Sequence, residues 1–172
     1  AGCVQNNENN TQQLQVQDDL NRNVTIPKEV NEVVSLAPSN TEILFALGQG
    51  PKVVGVTDYA DYPSEAKYKT SVGGFQNPSL EKIISLDPDI VFASTRTGKQ
   101  TVQNLEENGI SVYVTNPESL EDVFKDIEEI GKIIGAEDYS KQLTEEMEKR
   151  MENISTRVSD YEEKKVFYHM ST

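Results

Sequence analysis

From about Pro27 onward, short unbroken runs of valine and isoleucine alternate with longer stretches of helical periodicity. That alternation restricts the fold more than any other feature of the chain. The apolar runs are 33–36 (VVSL), 53–56 (VVGV), 90–93 (IVFA) and 110–114 (ISVYV), with a briefer one at 71–74 (SVGG). A strand that is apolar at consecutive positions has to be covered on both faces, the condition met in parallel sheets with helices above and below. Right-handed crossovers then place helices on each side of the sheet. The intervening segments read as those helices. One is 41–47 (TEILFAL), stopped by Gly48; one opens at 78–81 (PSLE) and ends at 87–89 (DPD); one covers 101–107 and closes at Asn108-Gly109. Ser39 or Asn40 is placed to cap the first of them, with Glu42 favoured by the dipole near its N-terminus. The fold class is α/β: a mostly parallel sheet flanked by helices, followed by a long helix.

The chain ends differ from this middle. Residues 119–135 carry Leu120, Val123, Phe124, Ile127, Ile130, Ile133 and Ile134 at helical spacing. A second, highly charged helix runs from Asp138 to about Tyr161 with Leu143, Met147, Met151, Ile154 and Val158 on one stripe. The stripe sustains too few heptads for a coiled coil and reads as a packing face. Residues 165–170 (KVFYHM) then resemble the start of a new strand. At the other end, 4–23 are dominated by Gln, Asn and acidic residues with little to bury, so a disordered tether is expected. The expected organisation is therefore 1–26 as signal remnant and disordered polar tether, 27–137 as an α/β lobe, 138–163 as a long helix, and 164–172 as the first strand of a second, truncated lobe.

Charge and composition exclude several functions. The formal net charge is −13, which argues against a nucleic-acid partner, since phosphate binding needs clustered Lys and Arg. No apolar run approaches the roughly 20 residues needed to span a bilayer. The chain has a single His and a single Cys, neither in a motif with a partner, and no Gly-rich phosphate loop, HExxH or CxxC pair. Asp58 and Asp61 form the one acidic pair beside an aromatic loop, and as turn formers they have a simpler role than acid–base catalysis. The chain is not expected to be an enzyme. Cys3 is either a stray thiol or the end of a lipobox, in which small residues precede a cysteine that becomes lipid-modified and N-terminal. The polar tract directly after it favours the lipobox, because an anchored domain needs such a tether to stand off its membrane. Ala1 and Gly2 would then be residues removed by processing.

In open parallel sheets, ligands sit beyond the carboxyl ends of the strands. The loops expected there are 37–40, 57–62, 73–76, 94–97 and 115–117. Tyr59, Tyr62 and Phe75 offer flat apolar faces with few rotamers to freeze, although Tyr62 and Phe75 could equally pack loops onto the lobe. Pro38, Ser39 and Asn40 stand at a helix N-terminus, where N–H groups can meet an acceptor on a ligand or simply be capped. Arg96 is either a contact for an anionic ligand group or a solvated loop arginine.

Taken together, VVSLAPSNTEILFALG, VVGVTDYADYP, VGGFQNPSLEKIISLDPDIVFAS, NGISVYV and the long helix before KVFYH resemble the extracytoplasmic substrate-binding proteins that serve ATP-driven importers of vitamin B12, iron siderophores and haem. The resemblance runs from about Val33 to the end. It implies two α/β lobes joined by a long rigid helix, a ligand held between them, and a first lobe plus connector in this chain. It implies a metal-chelate ligand and a membrane permease as partners, a location outside the cytoplasm with a lipid anchor at Cys3, and no cofactor, since any metal enters within the ligand. Phe75 falls where the vitamin B12-binding relatives have a cleft aromatic, and 59–63 resemble their cleft-side turn. Glu81 matches a glutamate that docks onto permease arginines, while its position in a first helical turn also suits any carboxylate. A haem reading would want His169 or Met170 as an iron ligand, and adjacent strand residues point to opposite faces, so at most one could serve. Few basic residues beyond Arg96 and Lys99 surround the loops, which disfavours an anionic siderophore and leaves a corrinoid as the favoured ligand. A single-lobe surface lipoprotein without a transport role is the remaining alternative.

Overall fold

A computed structural model describes residues 13–162 and 164–168. Its centre is a parallel five-stranded sheet built from β3 (Val33–Ser35), β4 (Val53–Val56), β5 (Thr70–Ser71), β6 (Ile90–Ser94) and β7 (Val112–Thr115), in the spatial order β5-β4-β3-β6-β7. The short apolar runs form these strands because both sheet faces are covered. Val33, Ile90, Phe92 and Tyr113 point to one side and Val34, Val91, Val112 and Val114 to the other, and all are buried. Phe92 and Tyr113 meet edge to face with ring centres 5.9 Å apart. One face is covered by α2 (Leu80–Ser85) and α3 (Lys99–Glu107) through Ile83, Val102 and Leu105. The other is covered by α1 (Pro38–Ala46) and α4 (Leu120–Ile134) through Leu44, Ile127 and Ile130.

The helix starts follow local chemistry. Ser79 accepts the Lys82 N–H at 3.3 Å, and Ser119 and Asp122 form a reciprocal capping box on α4. The first helix departs from expectation: Ala37 is its N-cap, Pro38 its first residue, and neither Ser39 nor Asn40 caps it. Proline fits the first helical position because its fixed φ suits the turn and no intrahelical acceptor exists there for the N–H it lacks.

Two expectations at the chain ends are corrected. Residues 14–26 are ordered: β1 (Leu14–Gln17) and β2 (Asn23–Ile26) pair antiparallel, Leu14 opposite Ile26 and Val16 opposite Val24. Val16, Val24 and Ile26 are buried in the same core as Leu44 and Ile130. The Gln- and Asn-rich composition concealed a period-2 pattern, with apolar residues at 14, 16, 24 and 26 on one face. Cys3 and the rest of the expected tether lie outside the described residues. The strand expected over 165–170 does not form in its described part. Residues 164–168 have no regular structure, and Val166 and Tyr168 are exposed. A strand requires a hydrogen-bonded neighbour, and the sheet ends on β5 and β7, neither of which pairs with this segment. His169 and Met170 are outside the described residues.

The long helix is present as α5 (Glu137–Val158), about 33 Å long at the usual rise per residue. Its first half packs on α4 through Ser140, Leu143, Thr144 and Met147; its second half carries Ile154 and Val158 into the open. No described helix is long and apolar enough to cross a membrane.

Candidate functional site

At the carboxyl edge of the sheet, the turns after β3, β6 and β7 meet the loop after β5 around a cavity of about 370 Å³. Its walls are Ala37, Pro38 and Ser39 at the start of α1, Ser94, Thr95 and Arg96 after β6, Thr115, Asn116 and Pro117 after β7, and Phe75. Parallel strands all deliver their following loops to one edge, so segments far apart in the chain converge there. Ser39, in the first turn of α1, lies in this wall, and its N–H has no acceptor within the helix. A hydrogen bond of 3.0 Å from the Thr95 hydroxyl to Asn116 Oδ1 ties two of the loops together.

Phe75 is half-buried, and Tyr59 leans against it with ring centres 5.4 Å apart at 59°. The pair presents two inclined apolar ring faces, and Tyr59 is 60 % exposed. Asp58 is held behind it: its carboxylate accepts a bond from the Ser71 hydroxyl, and its N–H donates to Gly73 O at 3.0 Å. Asp58 lies in the turn closed by the Ala60 N–H on Thr57 O at 3.1 Å, and its carboxylate ties that turn to the neighbouring strand. Arg96 is exposed in a single 3-10 turn and makes no ion pair among the described residues, so the cavity carries one cation available to a ligand.

Asn40, Tyr59 and Tyr62, expected at the ligand site, do not line the cavity, and Tyr59 meets it only through its contact with Phe75. Asn40 is buried and structural: its Nδ2 donates to Ala93 O at 3.1 Å, and its Oδ1 accepts from the Thr115 hydroxyl at 3.1 Å. It pins α1 to β6 and β7 directly beneath the cavity floor. Tyr62 lines a separate hollow of about 620 Å³ on the flank of α1, beside Phe45, Pro63 and Lys69. Glu81 is exposed in the first turn of α2, outside the cavity. Thr115, Asn116 and Pro117 were legible only as a loop; no motif marks them individually, and the parallel pairing of β6 with β7 is what brings them to the wall. Asn40→Ala is expected to destabilise the chain by about 1–3 kcal/mol, because the Thr115 hydroxyl loses one of its buried partners. A lowered urea midpoint with an unchanged m-value would show it.

The cavity lies at the carboxyl edge of a parallel sheet, the place where open α/β folds commonly take ligands, and its lining is apolar and neutral polar apart from Arg96. The chain belongs to the periplasmic binding protein family, whose pattern it matches over residues 33–172. It is 42 % identical over 163 residues to an uncharacterized ABC transporter substrate-binding lipoprotein of Bacillus subtilis, covering 91 % of this chain and 52 % of that protein. It is 29 % identical over 143 residues to a vitamin B12-binding protein of Vibrio parahaemolyticus, covering 83 % of this chain and 52 % of the other. Among solved structures, the periplasmic vitamin B12-binding protein of Vibrio cholerae superposes with a TM-score of 0.70 at 26 % identity, over 76 % of this chain and 52 % of that one. The chain spans about half the length of the curated relatives it matches.

Proposed function

We propose that this chain is the N-terminal lobe of the substrate-binding component of an ATP-driven importer. In this reading the cavity at the sheet's carboxyl edge is its half of a cleft for a metal chelate, with a corrinoid favoured over a ferric siderophore or haem. The observation that carries the reading is the convergence of the turns after β3, β6 and β7 with Phe75 on one open, largely uncharged cavity. A large, partly aromatic and nearly neutral ligand suits the Tyr59–Phe75 surface, with Arg96 left to meet a single anionic group. The vitamin B12-binding relatives support this choice of ligand. The lobe binds and hands over its cargo without catalysis, and it has no cofactor of its own because the metal arrives inside the ligand. α5 joins it to a second lobe, Glu81 meets a basic residue of the permease, and Cys3 carries the lipid that keeps the protein at the outer face of the membrane. The lipoprotein relative supports the anchor.

Calorimetric titration of the full-length protein with cyanocobalamin, a panel of ferric siderophores and haem tests the assignment, with this chain alongside. The expected result is tight binding of cyanocobalamin by the full-length protein and weak or no binding by the single lobe. Phe75→Ala is expected to weaken it about 10-fold, the usual worth of a stacked aromatic in a pocket. Preference for a siderophore or haem would replace the corrinoid while keeping the importer role. Failure of all three would remove the transport reading.

A further inference from the structure

The β1–β2 hairpin does more than cover apolar core. β7 is an edge strand of the sheet, and the hairpin tip is bonded along it toward the cavity. Arg22 Nη2 donates to Val112 O at 3.0 Å, the Asp19 N–H donates to Val114 O at 3.2 Å, and Asp18 Oδ2 accepts the Val114 N–H at 3.3 Å. The run ends at the cavity wall, where Asp19 Oδ2 accepts the Asn116 N–H at 2.6 Å. The tip is in turn braced from both sides. Lys125 on α4 donates to Asp19 Oδ1 at 2.9 Å, and Arg22 bridges Asp18 at 2.6 Å and Glu106 on α3 at 2.7 Å. Asp18 is buried, and burying a carboxylate is unfavourable unless its oxygens are well bonded. Asp18 closes the hairpin's own tip, its Oδ1 accepting the Leu20 N–H at 3.1 Å and the Arg22 N–H at 2.9 Å, while its Oδ2 reaches β7. Asp19 bonds outward, to the loop that lines the cavity.

We propose that the hairpin is a clamp on the ligand site, with Asp19 as the positioning residue that holds the wall at 115–117 in its binding geometry, so that ligand affinity depends on the hairpin being docked. The affinity half of this rests on the function proposed above; the clamp half does not. A segment ahead of the first sheet strand thereby becomes part of the binding apparatus, although none of its residues lines the cavity.

Amide exchange on this chain tests the clamp without any ligand. Asp19→Ala is expected to speed exchange at Asn116 about 10-fold while Val91, in the sheet centre, changes less than about 2-fold; Asp19→Asn, which keeps an acceptor, is expected to stay near the wild-type rate. Lys125→Ala, which leaves the Asp19 acceptor in place but unbraced, is expected to fall between them. Unchanged exchange at Asn116, or a uniform rise at Asn116 and Val91 together, would overturn the clamp. Titration of the full-length protein with cyanocobalamin then tests the coupling, with Asp19→Ala expected to weaken binding about 10-fold and Asp19→Asn to restore most of it. Faster exchange at Asn116 with unchanged affinity would overturn the coupling. A wild type that ignores cyanocobalamin would sink the corrinoid assignment, and the exchange rates would still decide the clamp.

Discussion

Asp126→Asn is expected to raise the melting temperature of this chain by roughly 6–12 °C at pH 9 and by only about 2–3 °C at pH 5, at the usual few degrees per kcal/mol for a chain of this size. Asp126 lies on α4 and is 2 % exposed. Burial pushes its carboxyl up to about 8, helped by a proton shared with Asp19 and by repulsion from that neighbour's charge, and opposed by Lys125. Asp122 adds to the repulsion on Asp126, and the buried Tyr113 hydroxyl on β7, itself pushed up by burial, faces Asp19, Asp126, Glu129 and Asp18. Burial also acts to raise Asp19, but its bonds from Lys125 and the Asn116 N–H outweigh that and leave it below the ordinary range. Asp126 is therefore the member of the pair that stays protonated at neutral pH.

The unfolded chain releases the Asp126 proton near 3.8 and the folded chain near 8. Between those values the folded state holds the extra proton, so stability falls as pH rises, by up to about 1.4 kcal/mol per unit. Above about pH 8 the loss is complete. Solvent entry and adjustment of Lys125 reduce the full swing to roughly 3 kcal/mol at pH 9. An asparagine amide donates to Asp19 as the protonated carboxyl does and cannot ionise, so the fall is removed while the packing remains. Thermal melts of both proteins from pH 5 to pH 9 check this. Parallel curves would mean that Asp126 titrates normally.

Gly131→Ala is expected to destabilise the chain by about 2–3 kcal/mol, even though alanine is the better helix former by about 1 kcal/mol. Gly131 is buried on α4 where α5 turns back across it, and a methyl group there would run into the Cβ and Oγ of Ser140. Ser140 has nowhere to go. It is fully buried, and its hydroxyl donates to Glu137 O at 2.9 Å in the first turn of α5. The turn itself is tight: Gly135 has φ 77°, and the Ala136 N–H donates to Gly131 O at 2.7 Å. The helices would have to part, loosening the Thr144–Glu128 bond of 2.8 Å that ties them one turn further along. Adding Ser140→Gly should recover more than half of the loss, since it removes the atoms in conflict. Chemical unfolding of the single and double variants measures that coupling. Additive losses would show that the α4–α5 approach does not limit stability.

Much of the fold was legible because its cause is local. Valine and isoleucine runs too short for helices, separated by helical periodicities with their own start and stop signals, leave a two-face-covered parallel sheet as the consistent solution, and β4 covers the residues expected of it. Phe75, Pro38, Ser39 and Arg96 were legible as cavity residues by the same logic, since a parallel sheet sends its loops to one edge. Asn40 was not. Its neighbourhood looked like a helix cap, and only the approach of α1 to β6 and β7 converts its amide into a buried strut. Tyr62 reads like Tyr59 as a loop aromatic, yet the turn between them sets one against Phe75 and the other in a different hollow.

The hairpin marks the same boundary from the other direction. Its composition is that of a disordered tract, and its four inward-facing apolar side chains are too few to make a core alone. They become worth ordering only against Leu44, Ile130 and their neighbours, surface assembled largely from helices distant in the chain. Sequence alone determined the class of fold, the edge at which the strands' following loops gather, and the long helix after the sheet, because each follows from the order and spacing of apolar residues. Tertiary structure decided which loop side chains reach the cavity, which polar groups are buried, and that the segment before the sheet grips its last strand. Those outcomes depend on partners distant in the chain, whose positions no local pattern records.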